Sequence, residues 1–529
     1  MDNKVTNERS ERRTRTRVVL VRGPIVFSDN SINNEAVPSI GMAYLLGYLR
    51  KQGIEALLID AIAEGLNQSW PIPNLPGFRA HGLTFDRIVQ MVPVDADLIG
   101  FSLMFSGEWP VQRSLIQRLR EHCPKALFLG GGEHATALAE YILRDCPELD
   151  LCVHGEGEEV LANVAECLFR GEDPRLLTGV SFLDDQGVFQ QQPAHPRIRS
   201  IDRIPWPHWP EGYLEKFWQA GKSYGVQSER DMPLMISRGC PYRCTFCSSE
   251  EMWTTRYILR DVADVVDEIT TYIQKYDIKA IQLYDLTAIT NKTWAIAFCN
   301  RLLEKNIAIQ WSLPSGTRSE ALDEESLTLF QKTGCNYLVY APESGSQETL
   351  KAIAKKISLD RMVDSLRVAH KLGLVLRTNL IIGFPGETLR QMVKTFLFGF
   401  RLAFLGVDEV SINIFSPYPG TVIFKNLVQS GRLVINDSYF MALTSLNGDY
   451  SRLPLLTFND HVGPKALGAY RLFFMTTNYM IGYLSRPYRI WRTLRVLLTG
   501  RHAETVLEHR LKDLIARKKG ENRSNPNRQ

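Results

Sequence analysis

The sequence contains few cysteines and no long apolar run. Nine cysteines in 529 residues are too sparse for a disulfide scaffold. No stretch offers the roughly 20 uncharged apolar residues that a membrane-spanning helix requires. Residues 1–16 are polar, rich in arginine and without an apolar core, so they are unlike a secretory signal. We therefore expect a cytoplasmic protein that begins with a disordered leader over residues 1–16.

Excess charge of one sign is also lacking. The formal net charge is +4, which is small for this length and does not favour nucleic acid as a partner. Hydrophobic residues make up 44% and charged residues 23%, as in ordinary globular proteins, so neither a disordered chain nor a membrane channel is favoured. At roughly 150 residues per domain, the length suggests about three domains.

The N-terminal third alternates short apolar runs with helical periods. Residues 18–21, 55–60, 98–102, 126–129 and 149–153 read as buried strands, and helical patterns lie between them. Such alternation is typical of βαβ units around a parallel sheet. We predict a doubly wound, Rossmann-like α/β domain over residues 17–175.

A proline-rich stretch separates this domain from a second α/β region. Residues 176–230 are predicted to be a linker. From residue 231 about six strand–helix repeats follow, which fits a partial β/α barrel of the TIM type over residues 231–425. Residues 426–529 are predicted to form a helical C-terminal region with a charged, frayed end.

Three cysteines, Cys240, Cys244 and Cys247, crowd into one short loop. Thiolates on a short loop can converge on one metal site, and Gly239 and Pro241 allow that loop to turn tightly. Three ligands would leave one iron of a tetranuclear cluster unbound by protein and open to a substrate. The alternatives are a structural zinc knuckle and three unrelated thiols. A zinc site would usually add a fourth Cys or His nearby, and residues 248–269 contain neither.

The spacing Cys-x3-Cys-x2-Cys, with an aromatic residue before the last cysteine, resembles the signature of the radical S-adenosylmethionine (SAM) superfamily. The resemblance implies a [4Fe–4S] cluster whose open iron chelates SAM. It also implies reductive cleavage of SAM to a 5′-deoxyadenosyl radical, with an electron donor such as flavodoxin or ferredoxin. The three cysteines are accordingly the predicted catalytic and metal-binding residues.

Later motifs extend this resemblance. Residues 341–346 are similar to the strand-end motif that meets SAM, residues 383–388 to the segment along the adenine, and residues 415–421 to the closing strand. Only Asp285 remains of an acidic pair that many relatives have after the second strand. The residues implied to contact SAM are Phe246, Asp285, Arg318, Glu343, Ser344, Gly383 and Pro385. Taken singly, Glu343 could cap a helix, and residues 383–388 could be only a turn before a helix.

Glycines at the strand ends of the first domain suggest a ligand across the sheet edge, because backbone approaches a large group closely only where no side chain intervenes. The runs at 130–136 and 154–158 resemble the cobalamin-binding domain of many radical SAM enzymes. The residues implied to contact cobalamin are Ser39, Ser102, Gly131, Gly132, His134, Gly155 and Glu156. We expect His134 to donate or accept a hydrogen bond and not to bind cobalt.

One departure concerns the lower face of cobalamin. Proteins that place a histidine on cobalt use Asp-x-His-x-x-Gly, whereas this chain has Ile62 between Asp60 and Gly65. Since Ile62 has no ligating atom, the lower face is expected to lack a protein histidine. The alternative is a degenerate domain that keeps the fold without the cofactor.

Three functions are consistent with these motifs. The leading hypothesis is a methyltransferase that acts on an unactivated carbon of a small-molecule, lipid-like or tetrapyrrole substrate. The second is an oxidoreductase or cyclase, similar to the anaerobic magnesium-protoporphyrin ester cyclases, without methyl transfer. The third is a cobalamin-responsive sensor without catalysis, which the intact cysteine triad disfavours because a sensor needs no open cluster.

The C-terminal region carries arginines at every third position from Arg486 to Arg495, next to an apolar stripe that includes Trp491 and Leu498. One interpretation is a helix whose apolar stripe packs on the barrel and whose arginines are solvated. The other is peripheral membrane contact, with the apolar face in the acyl boundary and the arginines near anionic head groups.

Overall fold

A computed structural model describes most of the chain. It covers residues 17–29, 31, 36–222, 229–444, 457–499, 503, 505, 507–512 and 515. The predicted leader over residues 1–16 lies outside the described residues, as does the charged end beyond residue 515.

The first domain is built on a seven-stranded sheet in the order β10-β9-β8-β7-β6-β1-β3. Five strands are parallel, and β9 and β10 pair antiparallel at one edge. A small antiparallel sheet, β2-β5-β4, lies beside it. The strands are β1 Val18–Arg22, β2 Ile25–Ser28, β3 Ala56–Asp60, β4 Ser69–Pro71, β5 Phe78–His81, β6 Leu98–Ser102, β7 Leu127–Gly131, β8 Leu151–Val153, β9 Val180–Leu183 and β10 Phe189–Gln191.

Helices cover both faces of this sheet. Along β1, Val18 and Leu20 pack into one hydrophobic cluster while Val19 and Val21 pack into another, as alternation along a buried strand requires. This confirms the doubly wound arrangement. The helices are α1 Ile40–Lys51, α2 Ala61–Glu64, α3 Phe85–Met91, α4 Trp109–His122, α5 Glu133–Asp145 and α6 Gly157–Arg170.

The residues predicted as linker contain secondary structure of their own. Strands β9 and β10 fall within residues 176–230 and extend the first sheet, and they are followed by α7 Tyr213–Gln219. Both strands are short, with four residues in β9 and three in β10, and β10 has only one apolar residue, so the local pattern gives a weak strand signal.

The second domain is a six-stranded, all-parallel sheet in sequential order, which confirms the partial barrel. A two-stranded ribbon, β12–β13, carries the cysteine loop at the carboxyl end of the first barrel strand. The strands are β11 Asp231–Leu234, β12 Ser237–Arg238, β13 Ile258–Leu259, β14 Ala280–Leu283, β15 Gln310–Thr317, β16 Cys335–Glu343, β17 Val375–Ile382 and β18 Glu409–Ile414.

Helices follow the barrel strands and continue beyond the last one. They are α8 Ser249–Trp253, α9 Val262–Tyr276, α10 Lys292–Glu304, α11 Glu324–Lys332, α12 Gln347–Ala352, α13 Leu359–Lys371, α14 Leu389–Leu405, α15 Val422–Gln429, α16 Asp437–Thr444, α17 Pro464–Ser485 and α18 Tyr488–Thr499. Within the described part of the chain, none of these helices combines the length and the hydropathy needed to cross a bilayer.

The structure contradicts the interpretation in which the apolar stripe of helix α18 packs on the barrel and its arginines are solvated. The guanidinium of Arg489 is buried and donates to the carbonyls of Gly406 and Val407, and Arg492 pairs with Asp408 at 3.2 Å. Arg489 and Arg492 therefore point inward, because two carbonyls and a carboxylate just before β18 accept their hydrogen bonds, whereas Arg495 is exposed. The stripe predicted to pack on the barrel is exposed, with Trp491 at 76% exposure.

A buried charge network holds helix α9 against the strand that leads to the cysteines. Arg260 donates to Glu268 at 2.5 Å and to the carbonyl of Met235 at 2.8 Å. Glu268 has no exposed surface and also accepts the hydroxyl of Tyr272. The network ties helix α9 to Met235, two residues before the ribbon.

We predict that Glu268→Ala lowers the stability of the second domain by about 3 kcal/mol or more, because it removes the fully buried one of the two carboxylates that pair with the Arg260 guanidinium; the other, Asp264, is partly exposed. The measurement is the midpoint of urea denaturation. The matched control is Glu325→Ala, which removes an exposed partner of Lys292 and should cost under about 1 kcal/mol. Equal losses for the two variants would contradict the role assigned to the network.

Candidate cofactor sites

A carboxylate with no exposed surface, that of Asp285, contacts the backbone just before the cysteine loop. Asp285 follows β14 and accepts the backbone N–H groups of Ile236 and Ser237 and the hydroxyl of Ser237. Burial raises the pKa of Asp285 to about 6, although these three donors act to lower it. The carboxylate of Asp285, predicted to contact SAM, thus fixes the backbone ahead of the cysteines through these hydrogen bonds.

A glycine completes the entry to the loop. Gly239 has φ +86°, and a Cβ there would overlap the carbonyl oxygen of Arg256 on the neighbouring segment. A side chain would therefore force the ribbon and the loop apart. Further along, the N–H of Thr245 donates to the carbonyl of Ile353, which fixes the middle of the loop to the end of α12.

The three thiols differ in their surroundings. Cys240 lies 3.6 Å from the hydroxyl of Thr287, and the N–H of Cys247 closes a turn onto the carbonyl of Cys244. Cys240 and Cys244 are half-buried and Cys247 is exposed. Burial raises the pKa of the Cys244 thiol to about 11, and the nearby Lys355 ammonium opposes that rise. Three reduced cysteines on one loop are suitable ligands for an iron–sulfur cluster, in which each thiolate binds a different iron.

The described residues contain no group of three Cys, His, Asp or Glu side chains placed to share a single metal ion. A tetranuclear cluster makes no such demand on its ligands, since each cysteine binds its own iron. The donor set of the loop therefore fits a cluster.

A charged group lies beside Cys244. Glu343, at the end of β16, has a left-handed backbone with φ +64°, and its carboxylate pairs with Lys355 at 3.0 Å. The guanidinium carbon of Arg318 lies 3.5 Å from the ring centre of Tyr242 on the cysteine loop. A strained non-glycine backbone of this kind is often found at functional sites. Of the predicted SAM residues, Glu343 and Arg318 are thus brought together next to the cluster loop.

Ser344 is placed differently from its prediction. Its hydroxyl is fully buried, hydrogen-bonds to Thr395 at 2.9 Å and accepts the N–H of Ser346. These contacts tie the strand end to helix α14, so Ser344 supports the end of β16 beside the cysteine loop.

The segment at 383–388 forms a turn that is capped by its own glutamate. Glu387 accepts the N–H groups of Gly383 and Phe384, and burial raises its pKa to about 7. Pro385 lines a cavity of about 490 Å³ together with Ile353 and other residues of α12 and α15. The ring of Phe246 meets Phe384 edge-on at 5.6 Å, which joins this turn to the cysteine loop.

The first domain presents a ledge of glycines at the carboxyl ends of its strands. A Cβ on Gly131 would come no closer than 3.9 Å to any atom, and one on Gly155 no closer than 3.8 Å, so both backbones face open space. Ser102 pairs with Gly131 across the sheet. Gly132 differs, because φ +125° and the carbonyl of Leu103 leave no room for a side chain. This ledge fits a large flat ligand such as cobalamin.

His134 lies in the core behind the ledge. Its ring is 1% exposed, packs against Trp109 and Phe440, and has Nδ1 2.9 Å from the hydroxyl of Ser106. Burial lowers its pKa to about 3, so the ring is neutral. His134, predicted to contact cobalamin, thus packs in the core behind the ledge. His154, which was not among the predicted contacts, is buried just after β8, and neither of its ring nitrogens has a hydrogen-bond partner among the described residues.

The side chain of Asp60 also forms its hydrogen bonds with other residues of the protein. The carboxylate of Asp60 accepts the hydroxyl of Tyr213 at 2.7 Å and the guanidinium of Arg22 at 3.1 Å. Ser39 donates its N–H to the same tyrosine oxygen. Ile62 is 1% exposed and belongs to the hydrophobic core. No metal ligand therefore stands at the position where a histidine would bind cobalt.

The two domains meet at the cysteine loop. Arg238, two residues before Cys240, is 5% exposed and pairs with Glu156 at 3.2 Å and with Glu158. The hydroxyl of Ser248, just after Cys247, hydrogen-bonds to Glu133, which begins α5 after the glycine run. Glu156, predicted to contact cobalamin, is thus also a partner of the second domain. The cysteine loop and the glycine ledge consequently lie side by side.

Sequence reasoning missed the residues that join the two domains. Arg238 and Glu158 are separated by 80 residues, and Lys355 lies 12 residues after Glu343. By residue type alone, each resembles many other charged residues of the sequence. The only available signal was position, since Arg238 immediately precedes the cysteine loop and Glu158 ends the glycine motif.

Two family models match the chain. Residues 234–399 match the radical SAM superfamily, and residues 34–165 match the B12 binding domain. The first region lies within the partial barrel and the second within the doubly wound domain, and together they cover more than half of the chain.

Curated relatives include both methyltransferases and cyclases. An uncharacterised methyltransferase of Pyrococcus horikoshii is 27% identical over 420 residues, covering 79% of this chain and 84% of the relative. The cytidylyl-2-hydroxyethylphosphonate methyltransferase of Streptomyces wedmorensis is 28% identical, with 74% and 78% covered. The anaerobic magnesium-protoporphyrin IX monomethyl ester cyclase of Rubrivivax gelatinosus is 25% identical, with 84% and 75% covered.

Solved structures share the fold. The radical SAM methyltransferase TsrM from Kitasatospora setae, with cobalamin and a [4Fe–4S] cluster bound, superposes with a TM-score of 0.61 at 16% identity, covering 78% of each chain. The cobalamin-dependent radical enzyme OxsB superposes with a TM-score of 0.60 at 19% identity, covering 91% of this chain and 67% of that one. The chain therefore belongs to the radical SAM superfamily, as an enzyme in which a B12-binding domain precedes the radical SAM domain and whose cofactors are a [4Fe–4S] cluster, SAM and cobalamin.

Proposed function

We propose that this enzyme is a methyltransferase acting on an unactivated carbon of a small molecule, with lipid-like compounds and tetrapyrroles as the candidate substrate classes. When bound, the cluster and SAM supply a 5′-deoxyadenosyl radical that removes a hydrogen atom, and cobalamin supplies the methyl group. The observation that carries the proposal is the adjacency of the cysteine loop and the glycine ledge, bridged by the Arg238 and Ser248 contacts. A radical centre and a methyl donor must both reach one carbon.

In this proposal Cys240, Cys244 and Cys247 bind the cluster. Arg318 and Glu343 orient SAM beside it, supported by the ion pair of Glu343 with Lys355 and by the stacking of Arg318 on the loop. Positively and negatively charged groups held in place in advance suit a zwitterionic ligand, because they need no reorganisation when it binds.

Phe246, Gly383 and Pro385 are assigned to the adenosyl end of SAM. Pro385 lines the cavity of about 490 Å³, which is within the usual size range of small-ligand pockets. The apolar rings of Phe246 and Phe384 beside it can exclude water from the reacting carbon.

For cobalamin, Gly131, Gly155, Ser102 and Ser39 are assigned to the ledge that receives the ring system. Gly132 supports it by closing the turn against Leu103. We expect no protein histidine as a ligand of cobalt, since Ile62, at the position where that ligand would stand, has no ligating atom and His134 lies in the core. A flavodoxin or ferredoxin is the proposed electron donor.

A cyclase without methyl transfer is the second candidate, favoured by the relative from Rubrivivax gelatinosus. The two reactions use the same cluster chemistry and differ in whether the methyl group of SAM leaves its sulfur. A cobalamin-responsive sensor is disfavoured, because it has no use for three cysteines on an accessible loop.

The cluster assignment predicts that Cys244→Ala abolishes reductive cleavage of SAM to 5′-deoxyadenosine and reduces bound iron to background. Iron and sulfide content after anaerobic reconstitution measures the cluster, and chromatography measures the nucleoside. The control is Cys167→Ala, a buried cysteine of α6 far from the loop in sequence, which should retain both. Full iron content in a variant lacking all three loop cysteines would overturn the assignment.

The ledge predicts that Gly131→Val weakens cobalamin binding at least tenfold, because the new side chain projects into the space where backbone and ring system would meet. Circular dichroism should remain unchanged, as a Cβ at this position clashes with nothing in the protein. The control is Gly463→Val, which is equally unhindered but lies before α17.

Electron paramagnetic resonance of the reduced cobalamin complex tests the lower face separately. We expect no hyperfine splitting from a protein histidine nitrogen. Such a splitting would contradict the proposal, whereas wild-type protein that binds no cobalamin would favour a degenerate domain.

Methyl transfer predicts that reduced enzyme loaded with cobalamin converts methyl-labelled SAM to S-adenosylhomocysteine, with the label retained by the protein-bound cobalamin fraction. Gly131→Val should lose this product and still form 5′-deoxyadenosine, because it leaves the cysteine loop intact. Formation of 5′-deoxyadenosine alone by the wild-type enzyme would favour the cyclase.

A further inference from the structure

Three neighbouring helices carry more than half of the large apolar side chains that are exposed on the described residues. They are α14, α17 and α18, at the outer edge of the barrel's last strands. The exposed side chains are Leu389, Val393, Leu397, Phe404, Leu472, Phe473, Met480, Leu484, Tyr488, Ile490, Trp491, Leu494 and Leu498. We name this surface the outer helical face. Apolar exposure on this scale marks an interaction site more often than chance.

The three helices form one continuous layer. The ring of Phe474 on α17 stacks on Phe400 of α14 at 5.3 Å and packs on Phe396 at 5.5 Å. Where α17 passes into α18, Arg486 donates to the carbonyls of Phe404 and Leu405 at the end of α14. The apolar residues on the outside of each helix therefore lie on the same side of the molecule.

Helix α17 shows how sharply its two sides differ. Phe474, Asn478 and Gly482 are buried against the barrel, whereas Leu472 at 69% exposure and Leu484 at 72% lie on the opposite side. A surface helix of a globular protein normally turns polar residues outward. Here the outward side is as apolar as the inward one.

The charge of this layer has one sign. Helices α14, α17 and α18 contain no aspartate or glutamate, and they contain eight arginines and lysines. Arg489 and Arg492 neutralise Asp408 inside the protein, whereas Arg390, Arg401, Lys465 and Arg495 are exposed. Exposed apolar groups with basic groups beside them are complementary to a lipid surface, in which anionic head groups cover an apolar interior.

Other occupants fit less well. A second copy of the chain would bring two basic faces together, which costs electrostatic energy. The last residues, 516–529, contain five basic side chains and almost no apolar ones, so by composition they cannot cover the face. Both arguments favour an anionic lipid surface.

We propose that the outer helical face binds the surface of an anionic membrane, with α18 lying in the plane of the interface. Trp491 and Leu498, at 76% and 83% exposure, enter the acyl boundary, and Arg495 and Lys465 lie at the level of the phosphates. The inward-pointing arginines have the separate task of holding α18 against the barrel. The proposal does not depend on the reaction assigned above.

Co-sedimentation of the full-length protein with vesicles tests the apolar contribution. Wild-type protein should pellet with vesicles of phosphatidylcholine mixed with phosphatidylglycerol. The double variant Trp491→Ser, Leu498→Ser should remain in the supernatant. The matched control is Val94→Ser, Leu176→Ser, which alters two residues that are 66% and 77% exposed elsewhere and should bind like wild type. Retained SAM cleavage and unchanged circular dichroism would show that the variants are folded.

Single substitutions test the charge. Arg495→Gln and Lys465→Gln should each weaken binding about fivefold at low salt, and molar salt should weaken binding of the wild type. Arg118→Gln, on the exposed side of the first domain, is the control and should have no effect.

Three outcomes would overturn the proposal. The first is equal recovery of wild-type protein in the supernatant with and without vesicles. The second is equal binding to vesicles of phosphatidylcholine alone, which would show that the basic residues are irrelevant. The third is a dimer in sedimentation velocity that the double variant dissociates, which would assign the face to a second copy of the chain.

Discussion

The relation between the two cofactor-binding domains depends on one buried arginine. Arg238 stands two residues before the first cysteine of the loop, and its guanidinium is divided between Glu156 and Glu158 after strand β8. A guanidinium is rigid and offers several donors in one plane, so two carboxylates fix its direction as well as its position. Such a pair gains little net stability, because both charges must be stripped of water. Its effect is to fix one arrangement of the two domains, because displacing either partner leaves a buried charge unpaired.

Contacts with several other segments also hold the cysteine loop in place. Asp285 fixes the backbone ahead of the loop, Arg318 stacks on Tyr242 within it, and Ser248 ties its end to the first domain. The left-handed backbone of Glu343 costs on the order of 1 kcal/mol and is tolerated where Lys355 pairs with its carboxylate. Each contact restricts a different part of the loop, so the positions of the thiols are set before any cofactor binds.

Much of the fold can be predicted from the local sequence pattern, whereas many contacts of the candidate site cannot. The helical period at residues 262–276 and the apolar run at 280–283 have the same limits as helix α9 and strand β14, because period and capping are local properties. The apolar run at 307–313 predicts a strand that begins three residues before β15, where Ile307 still donates to the carbonyl of Leu302 at the end of α10. Asp285 and His134 were predicted to contact cofactors, but their partners lie 48 and 28 residues away and are invisible to a local reading. The inward direction of Arg489 has the same cause, as Asp408 lies on another element.

The bridge formed by Arg238, Glu156 and Glu158 has a consequence for the ancestry of such two-domain enzymes. A B12-binding domain taken from a relative would bring its own residues to the turn after β8, and they would have to match the arginine of the recipient's cysteine ribbon. A substitution in either domain at these positions would leave the charges of the other domain without their partners. The turn after β8 and the start of the cysteine ribbon are therefore expected to be inherited as a pair, even where recombination joined the domains themselves.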